Sequence, residues 1–302
     1  MDVKVRFGER ETAMFTVAKI LLPTDFSAPC IDVLRIARPV AARFGSKLVL
    51  FHVLPQPAIL FLLGGDPNLR EARAKIRAEA ERKLEEFSSA ELHPMTVKRV
   101  LVEGDPAAAI IDYARSEQID LIMMPTHGYG LFRRLLLGSV TAKVLHDANC
   151  PVWTTVHAPE SGTEPDSWMP HRIACAIDLG PQSAHLLTWA SRLAWEFGVS
   201  LSLIHVITAL DPRFQDYYLS PEWRGHLINA AQSEIAKLKQ TTGLNAEIFI
   251  EIGDIPSAVA AAVTSAQADL LIIGRSHDGL GGRLPKNAYA IIRESPCPVL
   301  SV

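Results

Sequence analysis

Residues 18–54 read AKILLPTDFSAPCIDVLRIARPVAARFGSKLVLFHVL, and residues 171–207 read HRIACAIDLGPQSAHLLTWASRLAWEFGVSLSLIHVI. Set one above the other, the two stretches agree at eleven of 37 positions, among them Asp25/Asp178, Ala37/Ala190, Phe44/Phe197, Gly45/Gly198, His52/His205 and Val53/Val206. The matches continue in order: Gly104-Asp105 with Gly253-Asp254, Asp120-Leu121 with Asp269-Leu270, and Cys150-Pro151-Val152 with Cys297-Pro298-Val299. A period near 150 residues is a whole domain, so the chain carries two copies rather than a solenoid. Between them, His157–Met169 is rich in Pro, Gly, Ser and acidic residues and has no periodicity, which marks a linker. The expected division is a tail over 1–14, a first domain over 15–157, a linker over 158–169 and a second domain over 170–302.

Each copy alternates strand and helix. Val17–Pro23 is a short apolar run, the pattern of a buried strand. Ala28–Phe44 repeats apolar residues at helical spacing and stops at Gly45. Lys47–Leu54 is a second strand. Asn68–Leu92 is expected to be one long helix, with Leu69, Ala72, Ile76, Ala80, Leu84 and Phe87 on its buried face. The spacing then predicts a strand over Val97–Val102, a helix over Asp105–Glu117, a strand over Asp120–Met124, a helix over Ser139–Asp147 and a strand over Pro151–Val156. The second copy follows suit to Pro298–Val302. Such alternation implies an α/β fold: two tandem, doubly wound, five-stranded parallel sheets with helices on both faces. Ligands of such sheets bind beyond the carboxyl ends of the strands, where strand order reverses.

Composition narrows the function. The 302 residues are 48% hydrophobic and 21% charged, with a formal net charge of −3. A large core is available, and the charge is not that of a nucleic-acid coat or a membrane-surface binder. No stretch reaches the roughly 18 apolar residues of a membrane span, the longest suspicious run being Ala58–Leu63. Met1–Glu11 is charged and lacks the apolar core of a signal peptide. A cytoplasmic protein is expected, with no nucleic-acid or membrane partner.

Two strand ends hold the candidate chemistry. After the first strand comes Pro23-Thr24-Asp25-Phe26-Ser27, where the carboxylate either reads a ligand or caps the next helix. After the fourth comes Pro125-Thr126-His127-Gly128, and ten residues beyond Gly128 comes Gly138-Ser139, which opens a helix. Glycines admit a close ligand, and a helix start favours phosphate. The loop is neither a Walker A sequence nor a dinucleotide fingerprint. His127 is read as holding the loop by a hydrogen bond, and His52 and His205 as packing or capping residues. Neither a nucleophile–base pair nor a metal cluster with convincing spacing is visible, which argues against an enzyme.

The stretch MPTHGYGLFRRLLLGSVTAKVLHDANCPVW, with ILLPTDFS, FHV and GDPAAAI before it, resembles the universal stress protein family, and the resemblance covers both halves. It implies two such domains with an adenine nucleotide alpha hydrolase-like fold, paired within one chain about a pseudo-two-fold axis through Val152–Thr155 and Val299–Val302, with a further homodimer open. ATP-binding members carry G-x2-G-x9-G-[ST]. Here Gly128, Gly138 and Ser139 keep the motif, while Pro125 replaces its first glycine. By that resemblance Pro23, Thr24 and Asp25 shape the adenosine pocket, and Val53 meets adenine through its backbone. Gly128, Gly138, Ser139 and Val140 cradle the phosphates of ATP through N–H groups, and the Ser139 and Thr141 hydroxyls face phosphate or Mg2+. The second copy has Pro285-Lys286 where the first has Gly138-Ser139, so it is read as degenerate. The implied function is a nucleotide-binding stress-response sensor or regulator. The alternatives are a member acting only through protein contacts, or a slow ATP hydrolase.

The four cysteines, Cys30, Cys150, Cys175 and Cys297, form no C-x-x-C pair and are read as reduced thiols. A strong reductant is therefore expected to leave the melting temperature unchanged. A large drop would reveal a structural disulfide.

Overall fold

Strand β1, Lys19–Pro23, buries Ile20, Leu21 and Leu22 almost completely. A strand with no solvent-facing side must be covered on both faces, and the helices that follow supply the cover. The computed structural model describes residues 16–55, 67–93, 95–128, 137–155, 168–208, 220–275 and 287–302. It divides into compact units within Val17–Trp168 and Met169–Val302. The expected linker, all but its last two residues, lies outside the described residues.

In the first unit β1 is followed by α1 (Ala28–Phe44), β2 (Lys47–Leu54), α2 (Pro67–Glu86), β3 (Val97–Glu103), α3 (Pro106–Ser116), β4 (Leu121–Pro125), α4 (Ser139–Asp147) and β5 (Val152–Thr155). All pairings are parallel and the strand order is β3-β2-β1-β4-β5. Order reverses at β1, which lies between β2 and β4. The second unit repeats the plan with β6 (Arg172–Ile177), α5 (Ser183–Phe197), β7 (Ser200–Thr208), α6 (Pro221–Thr242), β8 (Glu247–Gly253), α7 (Ile255–Ser265), β9 (Leu270–Ile273), α8 (Ala288–Glu294) and β10 (Val299–Ser301). Its parallel order is β10-β9-β6-β7-β8. Among the described residues no helix is long and apolar enough to cross a membrane.

The repeated residue pairs have structural duties. Asp120 accepts hydrogen bonds from the Ala18 and Lys19 N–H groups at 2.9 and 2.8 Å, and Asp269 accepts from His171 and Arg172 in the same way. Each carboxylate fastens the start of a first strand beside the start of a fourth. Asp105 caps α3 by accepting from Ala108 N at 2.8 Å, and Asp254 caps α7 through Ser257. The glycines before them, Gly104 and Gly253, have φ of +150° and +155°, a region that glycine reaches without strain. Helix α1 ends on Gly45 and α5 on Gly198, both left-handed.

The single helix expected over 68–92 is interrupted. Helix α2 stops at Glu86, Ser88 takes a left-handed φ of +49°, and only the turn Ser89–Leu92 resumes. Of the face expected to be buried, Ala80 and Leu84 are buried but Ile76 is 60% exposed. The first half of α2 buries none of its described residues, and its Arg73 and Arg77 both pair with Glu103 at the end of β3. Helix α8 is described from Ala288, with Asn287 in the cap position.

All four cysteines are free. Burial alone raises the Cys175 thiol, and burial first pushes Cys297 up to about 12, so both are inert at neutral pH.

A methyl group added at Gly104 meets nothing within 4 Å. Gly104→Ala is thus a pure test of backbone conformation, expected to cost the first unit about 1–3 kcal/mol in urea unfolding. An unchanged midpoint would show that the turn relaxes without strain.

Candidate functional site

Strand β1 pairs with β2 as far as Pro23↔Phe51, and Thr24 N–H adds a last bond to Phe51 O at 2.8 Å. Peptide groups alternate sides along a strand. Phe51 turns its carbonyl toward β1, so Val53, two residues on, presents its N–H and C=O past the end of β1. A carbonyl–N–H edge at a switch point is complementary to the hydrogen-bonding edge of a planar heterocycle.

The chain leaving β1 folds back at once. Asp25 Oδ1 accepts from Ser27 N at 3.0 Å, and Thr24 Oγ1 accepts from Phe26 N at 3.0 Å. Phe26 is forced to a φ of +65° between them, a left-handed conformation that costs a non-glycine residue about 1–2 kcal/mol. Its ring packs at a tilt against His52, with centroids 4.3 Å apart, and meets Phe87 edge-on. Asp25 therefore forms a turn rather than the helix cap that was its alternative reading; Ser27 occupies the cap position without a side-chain bond. His52 Nδ1 lies 2.7 Å from Thr24 O, and since a carbonyl only accepts, Nδ1 carries the proton. His205 repeats the bond to Ile177 O at 2.9 Å. These histidines tie the ends of β1 and β6 to their neighbours.

The other wall comes from the end of β4. Thr126 N–H donates to Thr155 O at 3.1 Å, so the N–H direction at Pro125 points away from β5. Proline therefore removes no β4–β5 bond, though it offers no N–H to a ligand. The imidazole Nδ1 of His127 is 3.0 Å from Thr126 Oγ1, a bond that orients the ring within the loop. Gly128 is needed for space, because a Cβ there would lie 2.1 Å from Asp25 Oδ2. Gly138 is close-packed too, its virtual Cβ 3.3 Å from Thr126 O and 3.5 Å from His127 Cα.

Two expectations change at the start of α4. Gly138 N–H already donates to Thr126 O at 2.8 Å, so it is engaged within the protein. The Thr141 hydroxyl is buried and donates to Pro125 O at 3.0 Å, which makes it a fastener of the loop. The N–H groups of Ser139, Val140 and Thr141 begin a nine-residue helix whose cap residue, Gly138, has no side chain to satisfy them. Three donors and the positive end of the helix dipole converge there.

All the residues assigned to the site from sequence line one cavity of about 530 Å3. That volume is in the range of small-ligand sites, roughly 300–1000 Å3. Asp25, Val53, Gly128 and the start of α4 all line it, with the Asp25 carboxylate directly against Gly128. No lysine or arginine is among its described lining residues, and Arg133 and Arg134 lie outside the described residues. Among the described residues no three His, Cys, Asp or Glu side chains converge as metal ligands. Cys30 also lines the cavity and was not singled out from sequence. Its signal was its match, at the repeat spacing, to Ser183.

The second unit keeps half of this. Asp178 Oδ1 accepts from Gly180 N at 2.8 Å and from Ser183 Oγ at 3.1 Å, and Leu179 has a φ of +61°. Its cavity is about 310 Å3, with the buried Arg275 on its wall donating to Ser301 Oγ. Pro285, on which the degenerate reading rests, lies outside the described residues.

The model of the universal stress protein family matches residues 16–155 and again 169–302. The chain belongs to the universal stress protein family. Universal stress protein MJ0577 of Methanocaldococcus jannaschii is 32% identical over 149 residues, which cover 44% of this chain and 91% of that protein. A universal stress protein of Mycolicibacterium smegmatis is 28% identical over 193 residues, covering 62% of this chain and 63% of the relative. The crystal structure of a universal stress protein from Archaeoglobus fulgidus superposes with a TM-score of 0.61 over 95% of this chain and 96% of that one, at 22% identity. It shares the fold. The two family matches make this a tandem universal stress protein.

Burial holds His52 below its ordinary titration range, outweighing the opposing effects of its bond to Thr24 and of nearby Asp25. Its imidazole is expected to titrate below about 6.5 by NMR. The unfolded chain then takes up the proton first, so this share of stability is present above pH 6.5 and is lost as pH falls below it. His52→Gln should reduce that acid sensitivity. A midpoint at or above 6.5 would contradict the assignment.

Proposed function

We propose that the first unit binds an adenine nucleotide, ATP foremost, and that the protein acts as a stress-response sensor or regulator. The observation that carries this reading is the start of α4: three successive backbone donors on a cavity that the Val53 peptide edge and the Asp25 carboxylate also line. The base lies against Val53, Asp25 reads the adenosine, and the phosphates meet Ser139, Val140 and Thr141. Any Mg2+ would arrive with the phosphates, and the Ser139 hydroxyl would be available to it. Cys30 is kept protonated by burial and by the adjacent Asp25, the opposite of an activated nucleophile. The reading is therefore of binding and signalling rather than covalent chemistry. A cytoplasmic setting agrees with four free thiols. Pairing of the two copies through their last strands, and any further homodimer, belong to this proposal on the strength of the resemblance alone.

The test is calorimetric titration of ATP. Wild type is expected to bind one ATP per chain. Ser139→Pro removes one donor at a helix position that accepts proline, and Gly138 before it already has the φ of −60° and ψ of 142° that proline demands of its predecessor. The variant should keep its melting temperature and lose about 1.5–3 kcal/mol of binding, roughly 10–100-fold in affinity. Asp25→Ala should cost about 1–3 kcal/mol. Unchanged affinity in Ser139→Pro, or two ATP per chain, would overturn the assignment. No binding in wild type would favour action through protein contacts.

A further inference from the structure

Cys30 lies in the first turn of α1, 7% exposed, with its sulfur 3.2 Å from Asp25 Oδ1. The Ser27 hydroxyl donates to that sulfur at 3.6 Å, so the sulfur's accepting side is occupied and its proton is directed elsewhere. Pro23 O is farther from the sulfur, at 4.0 Å. Asp25 Oδ1 thus receives two donors, the Cys30 thiol and the Ser27 N–H, while Oδ2 lies where a Gly128 side chain would be. The second unit builds the same arrangement from a different residue: Ser183 donates to Asp178 Oδ1 at 3.1 Å, beside the Gly180 N–H at 2.8 Å. Two copies that differ at most positions keep a side-chain donor on the same carboxylate oxygen.

We infer that Cys30 is a positioning residue: its thiol donates to Asp25 Oδ1 and turns the carboxylate so that Oδ2 faces the Gly128 loop and the cavity. Its role in ligand binding rests on the nucleotide reading above; its role on the carboxylate does not. Without the thiol, Oδ1 loses one of its donors and the carboxylate is held less firmly in its orientation. The Asp25 turn would persist, because Ser27 N–H is part of the main chain. Burial first, and Asp25 second, keep the thiol protonated, so the donor is present throughout the neutral range.

The test compares wild type with Cys30→Ser, Cys30→Ala and the nearly isosteric Cys30→Val in the full chain. The first readout is the titration of the Asp25 carboxyl carbon by NMR, which needs no nucleotide. A hydrogen bond to the charged form favours it, so the Asp25 midpoint should rise in Cys30→Ala and Cys30→Val and fall back in Cys30→Ser. The second readout is ATP affinity, expected to weaken about 3–10-fold in the Ala and Val variants and to be rescued by Ser. In an Asp25→Ala background Cys30→Ala should have no further effect on affinity. Val retains the packing volume, so equal behaviour of Ala and Val separates the lost donor from a cavity. If the Asp25 midpoint is the same in all four proteins, the inference is wrong. If the midpoint shifts as stated but wild type binds no ATP, the positioning stands and the nucleotide reading falls.

Discussion

Strand β1 ends before its neighbours. Everything at the first unit's site follows from that length difference. The strand lies between β2 and β4, so its early stop leaves a notch with a peptide edge on one side and a loop on the other. The notch is held open by short-range bonds. Thr24 N–H and the His52 ring clamp the end of β1 to β2, and Asp25 turns the chain away into α1. The left-handed Phe26 carries the strain of that reversal and is braced by the His52 and Phe87 rings. That the second unit strains Leu179 in the same place indicates that the turn, not the side chain, is what both copies need.

Much of this was legible in the sequence because the signals were local. Buried strands declare themselves as short apolar runs, and the matched Gly-Asp pairs mark a turn and a cap wherever they stand. The notch residues could be grouped because the repeat aligned them. What the sequence could not reveal were directions and partners. The Gly138 N–H and the Thr141 hydroxyl have the right chemistry for phosphate, yet both are turned onto the loop backbone. Nothing in residue type distinguishes a donor aimed at a ligand from one aimed at a carbonyl. The helix over 68–92 failed differently. Ile76 keeps helical period with Ala80 and Leu84 yet is exposed, because periodicity reports a face without reporting whether anything covers it.

The two copies also show which parts of a duplicated fold drift. Fasteners of the sheet, Asp120 and Asp269, keep both identity and bonds. The turn aspartates keep their bonds while their neighbours change, with cysteine in one copy and serine in the other. The start of the helix after β4 has no match after β9, where Pro285-Lys286 stands for Gly138-Ser139 in sequence, and a buried Arg275 stands beside the smaller cavity. The copies thus hold on to the carboxylates that fasten strand starts and turn strand ends, and vary the side chains around them.

On the proposed reading, what meets phosphate in the first cavity is main chain, and no cationic side chain is among the described lining residues. A surface of peptide groups is shared by every amino acid but one. Val140 can be exchanged for most residues and still donate its N–H from the same place. Such a site is nearly invisible to alanine scanning and drifts silently through sequence space. It is lost abruptly, by a proline or by a shift of where the helix begins, rather than worn away one side chain at a time.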